Sequence, residues 1–315
     1  MWTYLSGQIE RSDIMVRILK MLGLLLLSLA SLAVAIIFEV CEISVGPMVG
    51  SLIAGVAIPY LIPSFADLAD NENWKVTQRK LKRAGIFQKN TPIRISFAYL
   101  FRIKVDGKYF LVRNARTGKY QPVGGAYKFQ KAEADYLRDN IPVENDDRIP
   151  VDKITRRDYR LWVKNKYLRK FIRRFDKTKL REDIPDLSRE FIEELFTSKI
   201  LAKETFGSLS YKYCGRHITN VELSDVFKCY EVLLADIVEV QLSDAQEQLF
   251  RDLIAKQCEE YCFATADEIK SLGVKYGTNE LTDKIASHTP KILSENADCL
   301  TKRNKYCNLI TIELK

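Results

Sequence analysis

Three glutamates set the chemistry that this sequence offers. Glu190, Glu193 and Glu194 fall within Arg189-Glu190-Phe191-Ile192-Glu193-Glu194-Leu195, where spacings of three and four place the carboxylates on one face of a helix and leave Phe191 and Leu195 for the core. Like charges so close destabilise a helix unless a cation sits among them. The cluster therefore reads either as a divalent-metal site or as half of an ion-pair network. A second feature is charge. Between Lys153 and Arg181, 13 Lys or Arg stand against Asp158 and Asp176 alone, a net of +11 in a chain whose total is +8. The basic character is local, and a polyanion would relieve its self-repulsion.

The elements that must position these groups are short strands and helices mixed without a repeating βαβ period, so the soluble part reads as α+β or mixed α/β. Ile93 to Val105 is rich in β-branched and aromatic residues, Asp106-Gly107 is a hairpin turn, and Lys108 to Arg113 returns. A second turn precedes Pro122-Val123-Gly124-Gly125. Val163, Tyr167, Phe171 and Phe175 recur every four residues and predict an amphipathic helix through the basic segment. Leu209 to Tyr213 and Val226 to Ala235 predict a strand pair across Cys214-Gly215-Arg216-His217, with Ile237 to Leu242 continuing extended. Ser243 with Gln246 and Thr265 with Glu268 form two capping boxes, the second helix stopping at Gly273.

Seven cysteines at irregular spacing argue for reduced thiols, not a disulfide framework. Cys258 and Cys262 could share a helix face, but His217 and His288 lie at no zinc-finger spacing. The apolar residues are concentrated at the N-terminus. Residues 21–38 and 43–66 are two uncharged runs separated by Glu39-Val40-Cys41-Glu42, which predicts a transmembrane helical hairpin over residues 1–70. Arg11, Arg17 and Lys20 precede the first run and Lys75, Arg79, Lys80, Lys82 and Arg83 follow the second, so both termini are expected in the cytoplasm at a bacterial inner membrane. A cleaved secretory signal ending near Ala33-Val34-Ala35 is the competing reading. Residues 71–90 are then a basic juxtamembrane linker with affinity for anionic inner-membrane lipid, and 91–315 a cytosolic domain.

The run ending in Pro122-Val123-Gly124-Gly125, followed by Arg189-Glu190-Phe191-Ile192-Glu193-Glu194, resembles a split NUDIX box. The interval from Gly125 to Arg189 is 64 residues, about 50 more than in ordinary members, and the extra segment holds the arginine-rich stretch. Together with FAYLFRIKVDGKYFLVRN, RRDYRLWVKNKYLRKFIRRF, EVLLADIVEV and the two apolar runs, this layout resembles the SMODS-associated NUDIX effectors of bacterial CBASS anti-phage systems. Phe196 stands where the box normally has its next glycine, and Lys131 where it has its lone upstream glutamate, six after Gly125.

The resemblance implies a membrane hairpin followed by a NUDIX-like α/β sandwich with an inserted basic segment. It implies a sensor that binds a cyclic oligonucleotide made by a partner nucleotidyltransferase, after which the hairpins assemble as a homo-oligomer, disrupt the membrane and kill the cell. Candidate ligand-binding residues are Gly124, Gly125, Arg156, Arg157, Tyr159, Trp162, Arg173, Arg174 and Arg189, the glycines offering backbone amides and the aromatics a stacking surface. Sensing requires no cofactor. Mg²⁺ on Glu190, Glu193 and Glu194 is the candidate ion, and these would be the catalytic residues if the domain were instead a membrane-tethered hydrolase of a nucleoside diphosphate derivative. A membrane scaffold binding anionic lipid or nucleic acid through the insertion is the third expectation.

Overall fold

The computed structural model describes residues 19, 22–31, 33–34, 36–38, 73–148, 156–224, 227–256, 258–274, 284–294, 300 and 308–314. The chain forms two compact units, residues 1–80 and 81–315. In the first, residues 22–31, 33–34 and 36–38 are helical. The expected hairpin is corrected here: among the described residues no helix is long and apolar enough to cross a membrane. The second expected span, 43–66, lies outside the described residues. The two-pass inner-membrane placement, which rested on the hairpin, falls with it. The expected basic linker holds helix α1 (Asn73–Arg83).

The second unit is organised about strand β1 (Pro92–Arg102), whose sequence PIRISFAYLFR is β-branched and aromatic enough to be covered on both faces. β1 runs parallel to β10 (Tyr230–Val240), in register from Arg94↔Glu231 to Arg102↔Glu239. Its opposite edge is shared. β7 (Arg160–Lys164) pairs antiparallel with Pro92–Ser96, and β5 (Gly124–Ala126) with Ala98–Leu100. Outward from β10 lie β8 (Ser208–Ile218) and β12 (Leu309–Glu313), with β9 (Glu222–Leu223) on the other end of β10; β6 (Val143–Asn145) flanks β7. A smaller sheet holds β2 (Lys104–Val105), β3 (Lys108–Arg113), β4 (Tyr120–Gln121) and β11 (Tyr261–Ala264).

Two cores follow. Leu100, Ala235 and Ile237 of the large sheet pack with Tyr109, Leu111 and Ala264 of the small one. Elsewhere, Phe97, Tyr127 and Tyr159 pack around Phe175 at ring separations of 4.7, 5.3 and 4.9 Å. Helix α2 (Lys131–Asn140) and helix α3 (Leu168–Lys177) belong to the insertion, and α3 buries Leu168, Phe171, Ile172 and Phe175 at helical spacing. The helix starts later than its apolar stripe predicts, because Val163 belongs to β7.

Downstream come α4 (Arg189–Phe191), which continues as a π-helical stretch Ile192–Thr197, then α5 (Lys203–Phe206), α6 (Asp244–Ile254) and α7 (Ala266–Lys270). Both predicted capping boxes close: Ser243 and Gln246 begin α6, and Thr265 and Glu268 begin α7. From residue 92 on the chain is therefore a mixed α/β sheet domain compatible with the NUDIX-like expectation.

Candidate functional site

The site begins with a glycine pair. Strand β5 lies so close against β1 that a Cβ on Gly124 would strike the Tyr99 carbonyl oxygen and Leu100 Cα, and Gly124 itself has φ +146°. A Cβ on Gly125 would instead overlap the Glu190 carboxyl group. Glycine at 124 is thus demanded by backbone, whereas a side chain at 125 would have to displace the Glu190 carboxylate from the strand.

Arg189 holds those carboxylates in place. Its Nε and Nη2 donate to both oxygens of Glu182, at 2.6 and 3.2 Å, its Nη1 donates to Glu190 at 2.6 Å, and Nη2 also reaches the Ala126 carbonyl at 3.0 Å. Glu193 lies 3.5 Å away, one turn on. Burial opposes the Arg189 charge, but the hydrogen-bonded Glu182, with Glu190 beside it, more than compensates and holds its pKa above the usual value. Glu190 and Glu193 thus take part in an ion-pair network centred on Arg189. Glu194 differs from its neighbours. Its carboxylate accepts the Gly124 N–H at 2.8 Å, yet burial and the adjacent Glu190 and Glu193 push its pKa up to about 8. Burial also raises Glu193.

Facing these acids across a cavity of about 400 Å³ is a basic wall. Arg113 reaches the exposed Glu259 at 3.1 Å, while Arg116 has no ion-pair partner among the described residues. Lys128 Nζ and Arg160 Nη1 flank Asp158 at 2.5 and 3.4 Å. Burial pushes the Asp158 carboxyl up and the Arg160 guanidinium down, so each is easier to neutralise than it would be in water. Such a cavity offers cations to a phosphate, and acids, one of them largely protonated at neutral pH, to hydrogen-bond donors and acceptors on a ligand.

The predicted site residues fall in several places. Gly124, Gly125, Arg189, Glu190, Glu193 and Glu194 converge on this cavity, although the Gly124 amide is already committed to Glu194. Arg156 and Arg157 line a separate cavity in the insertion. Trp162 lies elsewhere again, donating from Nε1 to Asp147 at 3.0 Å. Tyr159 is buried in the aromatic core, its hydroxyl without a hydrogen-bond partner among the described residues. Arg173 is exposed on α3. Arg174 is engaged at both nitrogens by the buried Glu133, at 3.0 and 2.6 Å, and stacks on Tyr136 at 3.8 Å.

Sequence reasoning missed Arg113, Arg116, Lys128, Asp158, Arg160 and Glu182. Glu182 had a signal. Counted forward from Gly125, the lone glutamate of the box falls on Lys131; counted back from Arg189, the search arrives within one residue of Glu182, beyond the insertion. As for the candidate ion, no group of three or more His, Cys, Asp or Glu among the described residues is arranged to hold a metal. Glu190 is turned to Arg189 and Glu194 to an amide, so the carboxylates as arranged do not fit Mg²⁺.

No curated protein matches the chain. The split box, its arginine and the insertion all lie inside one longer match: residues 92–293, nearly two thirds of the sequence, match the family model described as the SMODS-associated NUDIX domain, and the chain belongs to that family.

Proposed function

We propose that the domain is a receptor, not a hydrolase: it binds a cyclic oligonucleotide made by a partner nucleotidyltransferase and so serves as the sensor of a CBASS-related antiviral effector. Family membership supports the signalling context. The observation that carries binding over hydrolysis is the state of the glutamates. Glu190 is spent on Arg189 and Glu194 on the Gly124 amide with its pKa near 8, whereas Arg116 faces the cavity with no ion-pair partner among the described residues, and Lys128 and Arg160, which share the single Asp158, add their charge to the same wall. A cyclic oligonucleotide offers phosphodiesters, which this cationic wall can bind.

Calorimetry of the full chain against a panel of cyclic di- and trinucleotides tests this reading. One member should bind, Arg113→Ala with Arg116→Ala should weaken it at least tenfold, and the ligand should be recovered intact. Silence across the panel would overturn the reading. The hydrolase alternative gains instead if a nucleoside diphosphate derivative with Mg²⁺ yields nucleoside monophosphate and Glu193→Gln with Glu194→Gln stops it.

A further inference from the structure

The insertion carries a cavity of its own, of about 570 Å³ and within the range of about 300–1,000 Å³ of small-molecule sites. Its floor is apolar, made by the buried Phe129, Leu137 and Leu161. Lys131, Arg156 and Arg157 stand exposed on its rim, and none has an ion-pair partner among the described residues. Other arginines of the basic segment are engaged, Arg160 by Asp158, Arg174 by Glu133 and Arg181 by the Phe175 carbonyl, and the exposed Arg173 lines neither cavity. Lys131 also opens α2, whose N-cap residue Gln130 makes no side-chain cap, so the positive end of that helix adds to the rim.

This cavity backs onto the one beside the glycine pair. Lys128 and Asp158 form an antiparallel bridge, and the Phe129 N–H donates to the Arg157 carbonyl at 3.0 Å. Because side chains alternate across extended backbone, Lys128 and Asp158 line the first cavity while Phe129 and Arg157 line the second. Arg157 is held with φ +66°, a left-handed backbone uncommon outside glycine, at the point where the chain turns between them.

We propose that the insertion cavity is a second, separate nucleotide site: Lys131, Arg156 and Arg157 take a phosphate, and the base lies over Phe129, Leu137 and Leu161 with Asn145 at its edge. Three unpaired cations around an open apolar floor suit a compact anion joined to a flat ring; an acyl chain would need an enclosed channel. The site does not depend on what binds beside Gly124 and Gly125.

Photolabelling of the full chain with 8-azido-AMP, followed by peptide mapping, tests it. Label should appear within residues 129–145 or 156–161, and inorganic phosphate should compete for it. Arg156→Ala with Arg157→Ala, both exposed and so expected to leave the melting temperature unchanged, should reduce that label at least tenfold. Label confined to 112–128 and 189–200 would overturn the second site while favouring the first. Label at 129–161 that survives the double substitution would overturn the phosphate assignment, and its absence there overturns the site whatever the first cavity does.

Discussion

Glu194 is an acid whose pKa is raised well above the carboxylate range, and its behaviour is measurable. Its folded pKa of about 8 lies above the ordinary carboxylate range, so between roughly pH 4.5 and 8 the folded chain binds a proton that the unfolded chain has lost. Stability contributed at this position is therefore present at low pH and declines as pH rises through that window. Glu194→Gln keeps an oxygen for the Gly124 amide and removes the titration. Relative to the parent, the variant should gain about 1–2 kcal/mol between pH 5 and pH 8.5, the carboxyl being partly exposed and the effect correspondingly damped. Denaturant melts at the two pH values check this, and a difference that does not change with pH would refute it. The sequence displayed the three glutamates and the glycine pair plainly, because their types and local spacing suffice to put them on one face and one turn. It hid Glu182 and the basic wall. Those residues are brought together by strand pairing across the insertion, and neither periodicity nor spacing encodes which exposed-looking arginine will face a cavity.

At the scale of elements, the strands and capped helices were legible wherever a local rule decides them, as for β1, β3 and the two capping boxes. One misreading is instructive. Cys214-Gly215-Arg216-His217 looks like a turn, yet it lies within β8, where Gly215 has φ +145° and the register with β10 shifts between Ile237 and Val238. A glycine inside a strand marks an irregularity in the ladder as readily as an end. Beside the irregularity, Arg216 lies opposite Asp236. Asp236, wholly buried, accepts from Arg216 through both oxygens at 2.7 Å, from Tyr127 at 2.8 Å and from Tyr213 at 2.9 Å, and Arg216 also reaches Asp176 on α3 at 2.8 Å. Burial alone would raise the Asp236 carboxyl, but Arg216 and its hydrogen bonds hold it below the usual value. Its contribution is thus complete above about pH 4 and is lost as pH falls through the depressed folded pKa. Asp236→Asn should destabilise the fold by about 3 kcal/mol, since it removes the doubly hydrogen-bonded counter-charge of a buried guanidinium and leaves it only Asp176. Tyr213→Phe, which removes one of the hydrogen bonds, should lose about 1 kcal/mol. Urea melts at pH 7 measure both, and equal small losses would mean that the network is not a unit.

For the molecule as a whole, the question is whether the insertion is an appendage or part of the fold. The sequence presents it as a detour inside a box, and its charge as a free cationic surface. The structure integrates it. β7 is the partner of the first half of β1 from Pro92↔Lys164 to Ser96↔Arg160, and without it that edge exposes unpaired amides and carbonyls. Tyr159, Phe171 and Phe175 supply much of the aromatic core against Phe97. Yet the two ends of the insertion meet: Phe129 bridges Arg181, and the Gln130 N–H donates to the Leu180 carbonyl at 2.9 Å. Replacing residues 131–179 with a short Gly/Ser linker is therefore geometrically fair, and it retains Glu182, Arg189 and the glycine pair. If the box were a self-sufficient module, the shortened chain would still melt cooperatively with 92–102 protected from hydrogen exchange. The strand pairing and the aromatic core argue for the opposite result. The shortened chain should show no cooperative transition and rapid exchange throughout 92–102, because losing one edge of β1 and the side chains that cover it removes more than the few kcal/mol by which a domain of this size is stable.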